Sequence, residues 1–272
     1  MYSNDPAVMD DNRAKSVLDS HFSMTLGCTV ADLHRPGWTI VPTRDESDPG
    51  ALLFGQRTLL SLLVPGPPAK DAESGELDHG DSGVAKIAAE LRSPLAAVLG
   101  TYSPSGLFSA DGQQVLRGLM RTLVPESGPN PEEGISRIYY VTRAGYTPYF
   151  GEWQEWIEPL DEFGENEPSA LRLLARYSGG VYVVRHAGDI AGYAGILTHS
   201  PRVAEISVRT AALELRGHAL GRAVVSRATK AVFAADRVPI YRYGPANIAA
   251  ARVAASLGYR FYADAMTFTA QL

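Results

Sequence analysis

The chain has 272 residues and a single cysteine, Cys28, so it can form neither an internal disulfide nor a cysteine zinc cage, and a reducing compartment suits it. Two residues from Leu26, that thiol reads as apolar filler and not as a nucleophile. No run of about 18 apolar residues occurs, so no membrane-spanning helix is expected. Residues 1–15 are polar and acidic, without the basic and apolar regions of a secretory signal, and the expected location is the cytoplasm. The motifs G-x-G-x-x-G and G-x-x-x-x-G-K-[ST] are both missing, which removes the Rossmann and P-loop readings. There is no G-x-S-x-G elbow, and the six histidines form no H-x-x-x-H pair, so hydrolase and metalloenzyme readings have no motif. His79 lies between Asp78 and Asp81, but in an acidic Pro/Gly-rich stretch, 65–83, that reads as a solvated spacer; no metal is expected.

What is present is unevenly distributed. The net charge of −5 conceals 13 Lys and Arg against 6 Asp and Glu from residue 166 onward, leaving 12 against 24 before it. The basic residues are mostly single arginines, not an aromatic-interleaved patch, so an anionic small molecule suits them better than nucleic acid. The length fits two domains, each large enough to bury a core.

Periodicity sketches the elements. A helical spacing of Val17, Leu18, Phe22 and Leu26 ends at Gly27. Three short strands are expected at 38–41, 51–54 and 58–64, short helices at 84–91 and 94–99, a helix opened by Ser109 as N-cap through Leu123, and a strand at 135–142. This first part is an α/β domain, placed at residues 1–150, without a chemical motif. Tyr146, Tyr149, Phe150, Trp153 and Trp156 follow. They read as packing where the domains meet, with a substrate-binding aromatic wall as the alternative. A helix over 165–177 is expected to stop at Gly179-Gly180 and release a hairpin, strands 181–186 and 190–199 joined through Gly188-Asp189.

The second domain, residues 151–272, is organised around Leu215-Arg216-Gly217-His218-Ala219-Leu220-Gly221-Arg222. This stretch separates an alternating apolar run, 203–210, from an alanine-rich amphipathic run, 220–235, and so reads as a strand-to-helix turn. Unpaired amides at a helix start, the helix dipole and glycines together favour a phosphate or pyrophosphate. Beyond it come a strand at 238–243, Asn247 as a favoured N-cap, a helix to Leu257, Gly258, and a last strand at 259–268.

Arg216-Gly217-His218-Ala219-Leu220-Gly221 resembles the R/Q-x-x-G-x-G/A loop of the GNAT superfamily, the acyl-CoA-dependent N-acyltransferases. Asn247, Ala250, Val253, Leu257, Gly258 and Tyr259 resemble, in register, its second signature, N-x-x-A-x-x-L-Y-x-x-L-G-F. The resemblance covers roughly residue 156 to the end. It implies a mixed, splayed, mostly antiparallel sheet flanked by helices, with acetyl-CoA as cosubstrate. Ile206, Val208, Arg216, Gly217, His218, Ala219, Leu220, Gly221, Arg222 and Asn247 would contact it.

It also implies transfer of acetyl to a primary amine on a small molecule or peptide, with no role for nucleic acid, membrane or metal, and room for a homodimer. The N-terminal domain would shape the acceptor site. Alternation along 204–210 sets Glu205, Ser207 and Arg209 on one face and Ile206 and Val208 on the other. The resemblance makes Glu205 the general base and the Val208 amide the oxyanion donor; Glu205 as an ion-paired strand-edge charge is the alternative. Two departures stand out. Ala254 occupies the position of the family's usual acid, a tyrosine, which leaves Tyr241, Tyr243 or Tyr262 as substitutes and admits a weak or inactive acyl-CoA-binding module. Ala219 stands where glycine is commoner, tolerable if its φ is negative.

Overall fold

The computed structural model describes residues 9–26, 28–34, 39–42, 50–55, 58–63, 97, 101–102, 106, 109–123, 132–160 and 178–269. The loop at 65–83 with His79, the helices expected at 84–91 and 94–99 (save residue 97) and the helix expected at 165–177 lie outside them. Among the described residues no helix is long and apolar enough to cross a membrane, and no group of three His, Cys, Asp or Glu is placed to hold a metal ion.

In chain order the elements are α1 (Asp11–Leu26), α2 (Val30–His34), β1 (Thr39–Pro42), β2 (Gly50–Gly55), β3 (Thr58–Leu63), α3 (Ala110–Leu123), β4 (Glu132–Tyr140), a 3-10 turn (Glu152–Trp156), β5 (Ile157–Pro159), β6 (Ser178–His186), β7 (Asp189–Thr198), β8 (Val203–Thr210), α4 (Leu220–Ala234), β9 (Val238–Tyr243), α5 (Ile248–Ser256) and β10 (Arg260–Thr269). They form two compact units, Met1–His21 with Arg137–Tyr262 and Phe22–Ser136 with Ala263–Leu272. β4 runs antiparallel to β9, Arg137↔Tyr243 to Tyr140↔Ile240, so residues 137–140 belong to the same sheet as the C-terminal strands.

In the unit Phe22–Ser136 with Ala263–Leu272, β1, β2 and β3 are an antiparallel meander, and β3 pairs in parallel with Asp264–Thr269 of β10. Ser109 caps α3 as expected, its Oγ accepting from Gly112 N–H at 3.2 Å. Cys28 is partly buried, and its thiol is pushed above the usual value by burial and then by Asp32.

In the other unit the strand order is β4-β9-β8-β7-β6-β5. Every neighbouring pair is antiparallel except β8 and β9, which are parallel. The mixed, mostly antiparallel sheet expected of this region is thus present. One face is covered by α4, whose Leu220, Val224, Val225, Ala228 and Val232 are buried with Val184, Ala194, Ile196, Ala204, Ile206 and Tyr241. Each such valine contributes about 1.5–3 kcal/mol by leaving water. The N-terminal helix is anchored to the same unit by hydrogen bonds from Tyr140 Oη to Asp11 at 2.6 Å and from Tyr262 Oη to Asp19 at 2.7 Å.

Gly179 and Gly180 lie inside β6, where the register with β7 shifts between Ser178 and Val181; the helix expected to end there lies outside the described residues. The aromatics of residues 146–156 pack within the unit that holds this sheet. Tyr146 Oη donates to Ser226 O at 2.9 Å, the Tyr149 N–H donates to Ser226 Oγ at 2.9 Å, and Trp153 packs against the same core. They clamp α4 within its own unit, while Phe150 and Trp156 are exposed.

Candidate active site

The site begins where β8 and β9 part. β8 keeps register with β7 from Thr198↔Ala204 to Gly192↔Thr210. With β9 it pairs only from Val203↔Val238 to Ile206↔Tyr241, while β9 stays with β4 as far as Tyr243. Beyond Ile206 and Tyr241 the two parallel strands diverge, and a wedge opens between them.

The hydrogen-bond pattern shows which groups that wedge exposes. His199 N–H donates to Val203 O and Ala211 N–H to Ala191 O, so the odd residues of β8 turn their backbone groups toward β7. Val238 N–H donates to Arg202 O, so the even residues turn theirs toward β9. Val208 is the first even residue past the pairing. Its N–H faces the opening with no strand partner.

α4 begins at one wall of the same opening. Its first intrahelical bond runs from Ala223 N–H to Ala219 O at 3.0 Å, which leaves the amides of Leu220, Gly221 and Arg222 as the unpaired donors of the first turn. The approach is set by two left-handed residues, Gly217 (φ +87°) and Ala219 (φ 62°, ψ 7°). The negative φ expected at Ala219 is not found. The turn requires αL geometry there, which L-alanine disfavours by about 1–2 kcal/mol. Gly221 has no such conformation; an added Cβ would touch only Thr210 Oγ1, at 3.5 Å.

The resulting cleft has a volume of about 780 Å³, within the range of small-ligand sites. Of the residues expected to contact the cofactor, Val208, Arg216, Gly217, Ala219, Leu220, Gly221, Arg222 and Asn247 line it. Ile206 is instead buried in the core beneath, and His218 is exposed with its carbonyl turned to Trp153. Arg209 and Arg252 line the cleft as well, which residue order alone did not suggest. Arg222 spans it: Nη2 donates to Ser256 O at 3.2 Å, the guanidinium lies 5.6 Å from the Tyr149 ring centre, and Nε is the one buried side-chain donor without a partner among the described residues. A bound anion would satisfy the first-turn amides. Asn247 also acts as the N-cap of α5, Oδ1 accepting from Ala250 N–H at 3.0 Å.

The other face of β8 carries Glu205. Its Oε2 is 3.0 Å from His199 Nε2 and 3.6 Å from Arg242 Nε; Oε1 has no hydrogen-bond partner among the described residues. Burial alone would raise this carboxyl's pKa, but the hydrogen bond to His199 and the Arg242 charge hold it below its ordinary value. His21 of α1 lies beyond, its ring 6.1 Å from that of His199; burial first, then the charges of His199 and Arg242, lower its pKa to about 4. Of the three tyrosines considered as acids, Tyr241 lines the cleft, and burial raises its pKa above the ordinary phenol value. Tyr243 stacks on Tyr139 at 4.9 Å, and Tyr262 is engaged with Asp19. Ala254 is buried in the core.

An antiparallel β6-β7-β8 run, a helix leaving β8 through an anion-binding turn, a parallel β9 that splays from β8, and α5 leading to β10 together define the architecture. This order of elements resembles the GNAT fold that the loop and ladder residues imply. Solved structures of GNAT proteins are similar to this chain. One from Novosphingobium aromaticivorans is 26% identical over 50% of this chain, with a TM-score of 0.40, and the chain spans 62% of that protein's length. A GCN5-related N-acetyltransferase from Kribbella flavida is 16% identical, with 92% of this chain and 93% of that one covered and a TM-score of 0.40. A GCN5-related N-acetyltransferase-like protein from Streptococcus suis is 14% identical, covering 85% and 87%, also with a TM-score of 0.40. No protein-family model matches the chain, and no curated protein matches it. Of the ladder residues, Asn247, Ala250 and Val253 line the cleft, while Leu257 and Tyr259 are buried.

Proposed function

We propose that the protein is an N-acetyltransferase that moves acetyl from acetyl-CoA to a primary amine. The observation that carries this reading is the unpartnered Val208 N–H at the splay, in one cleft with the unpaired first-turn amides of α4. The α4 amides, Arg216 and Arg222 suit a pyrophosphate. Asn247, from α5, would meet the pantetheine arm.

A thioester carbonyl at the splay develops negative charge when attacked, and the Val208 amide is a fixed donor for it. The amine nitrogen attacks the carbonyl carbon, a C–N bond forms, and the C–S bond breaks to release the CoA thiolate, with no acyl-enzyme formed. The attacking amine must lose a proton, because an alkyl amine with a pKa of about 10 is almost wholly protonated at pH 7. Glu205 is the acceptor, directly or through one water. The contacts with His199 and Arg242 keep it ionised, and Oε1 is left to receive the proton. The thiolate is a far better leaving group than an amine, so departure without an acid at residue 254 is compatible with turnover.

A second reading, an acyl-CoA-binding module with little or no turnover, draws on the same cleft and is favoured by two observations: a buried methyl at Ala254 and a Glu205 carboxylate already ion-paired. CoA release measured with acetyl-CoA and a panel of primary amines separates the two. Amine-dependent release that falls in Glu205→Gln supports the enzyme. Saturable acetyl-CoA binding without release above the amine-free rate supports the module and contradicts the enzyme.

A further inference from the structure

Trp153 sits in the 3-10 turn Glu152–Trp156, packed against the core beneath α4. Its Nε1–H donates to the His218 carbonyl at 2.6 Å, across 65 residues of sequence. His218 lies between two residues that line the cleft, Gly217 and Ala219, yet does not line it itself.

The peptide group explains the pattern. No peptide bond among the described residues is cis, and in a trans peptide the carbonyl of one residue and the N–H of the next point in opposite directions. A His218 carbonyl tied outward to Trp153 therefore turns the Ala219 N–H toward the cleft. Rotating that peptide plane would exchange the two groups and put a carbonyl oxygen where an anion is to bind. Rotation is a real alternative because Ala219 is held in αL geometry, which alanine populates about tenfold less readily than right-handed conformations. Glycine would carry no such bias.

We propose that Trp153 is a positioning residue for the cofactor loop: its indole N–H locks the His218–Ala219 peptide with the amide facing the bound phosphate. This rests on the reading of the cleft as a coenzyme A site. The test is calorimetric titration of CoA into the full chain, its Trp153→Phe variant and the double variant Trp153→Phe/Ala219→Gly, with thermal midpoints recorded without ligand. Trp153→Phe keeps an aromatic ring and removes the donor. It is expected to weaken CoA binding about five- to tenfold at an unchanged ligand-free midpoint. Ala219→Gly in that background is expected to restore most of the loss, which a merely structural role for the indole would not produce. Unchanged affinity in Trp153→Phe, or loss without rescue by glycine, overturns the inference while leaving the cleft reading intact. A wild-type chain that does not bind CoA overturns the cleft reading and the inference with it.

Discussion

The two faces of β8 are built on opposite principles. Where β8 parts from β9 and α4 begins, donors are left over: the Val208 amide and the first-turn amides of α4 have no partner among the described residues. On the other side, charge is matched: Glu205 is held by His199 and Arg242, with His21 behind them. Unsatisfied donors at the edge of a cleft carry a standing cost that a ligand can relieve. A matched cluster has little to gain from an anion but can take up and hand on a proton. On the proposed reading, the splay beside Val208 serves binding and the Glu205 cluster serves proton transfer.

The comparison breaks most visibly at the cofactor loop. Arg216→Glu puts a carboxylate against the expected pyrophosphate. Wild-type protein with CoA at about 100 times its dissociation constant should gain roughly 2.7 kcal/mol, and a thermal-shift titration of Arg216→Glu should show that gain abolished with the ligand-free midpoint retained. On the matched face, Glu205→Gln should lower kcat by about 10² and move the pH profile upward, with the KM for acetyl-CoA little changed. Steady-state kinetics across pH checks this, and full activity in the variant places the base elsewhere.

A third prediction concerns pH and stability. His21 has a folded pKa of about 4 against an ordinary 6.5, so between those values the unfolded chain binds more protons and folding weakens as pH falls. The Glu205 carboxyl is also depressed; its contribution, complete above its unfolded value, is lost at still lower pH. The thermal midpoint should fall steadily from about pH 6.5 toward pH 4, and His21→Gln should flatten that slope. The smallest effect belongs to the loop. Ala219→Gly removes an αL penalty and should stabilise the folded state by about 1 kcal/mol, offset in part by the added freedom of glycine when unfolded. Denaturant melts of the two proteins measure the difference.

Much of the cofactor side is legible in the sequence because it rests on local chemistry. The strand-to-helix turn, the Asn247 cap and the alternation of β8 depend on residues within a few positions of one another, and each is found where the spacing puts it. What the sequence does not reveal depends on distance along the chain. Arg242 meets Glu205 only because β8 and β9 are neighbours, whereas His199 reaches it from six residues away across the β7–β8 turn. Residues 137–140 join the cleft's unit because β4 pairs with a strand about a hundred residues later. The sign of φ at Ala219 is fixed by the turn's surroundings and not by alanine, whose own preference is the reverse. Trp153 reads in sequence as one aromatic among five, and only the fold brings it to the His218 carbonyl.

The division of β8 into a binding face and a proton face is tested most directly by nuclear magnetic resonance of the full chain titrated with CoA. The account predicts that the amides of Val208, Ala219, Leu220, Gly221 and Arg222 shift and saturate together, while the ring signals of His21 and His199 stay in place. Ring signals that shift while the loop amides do not, or no saturable change at millimolar CoA, would contradict it.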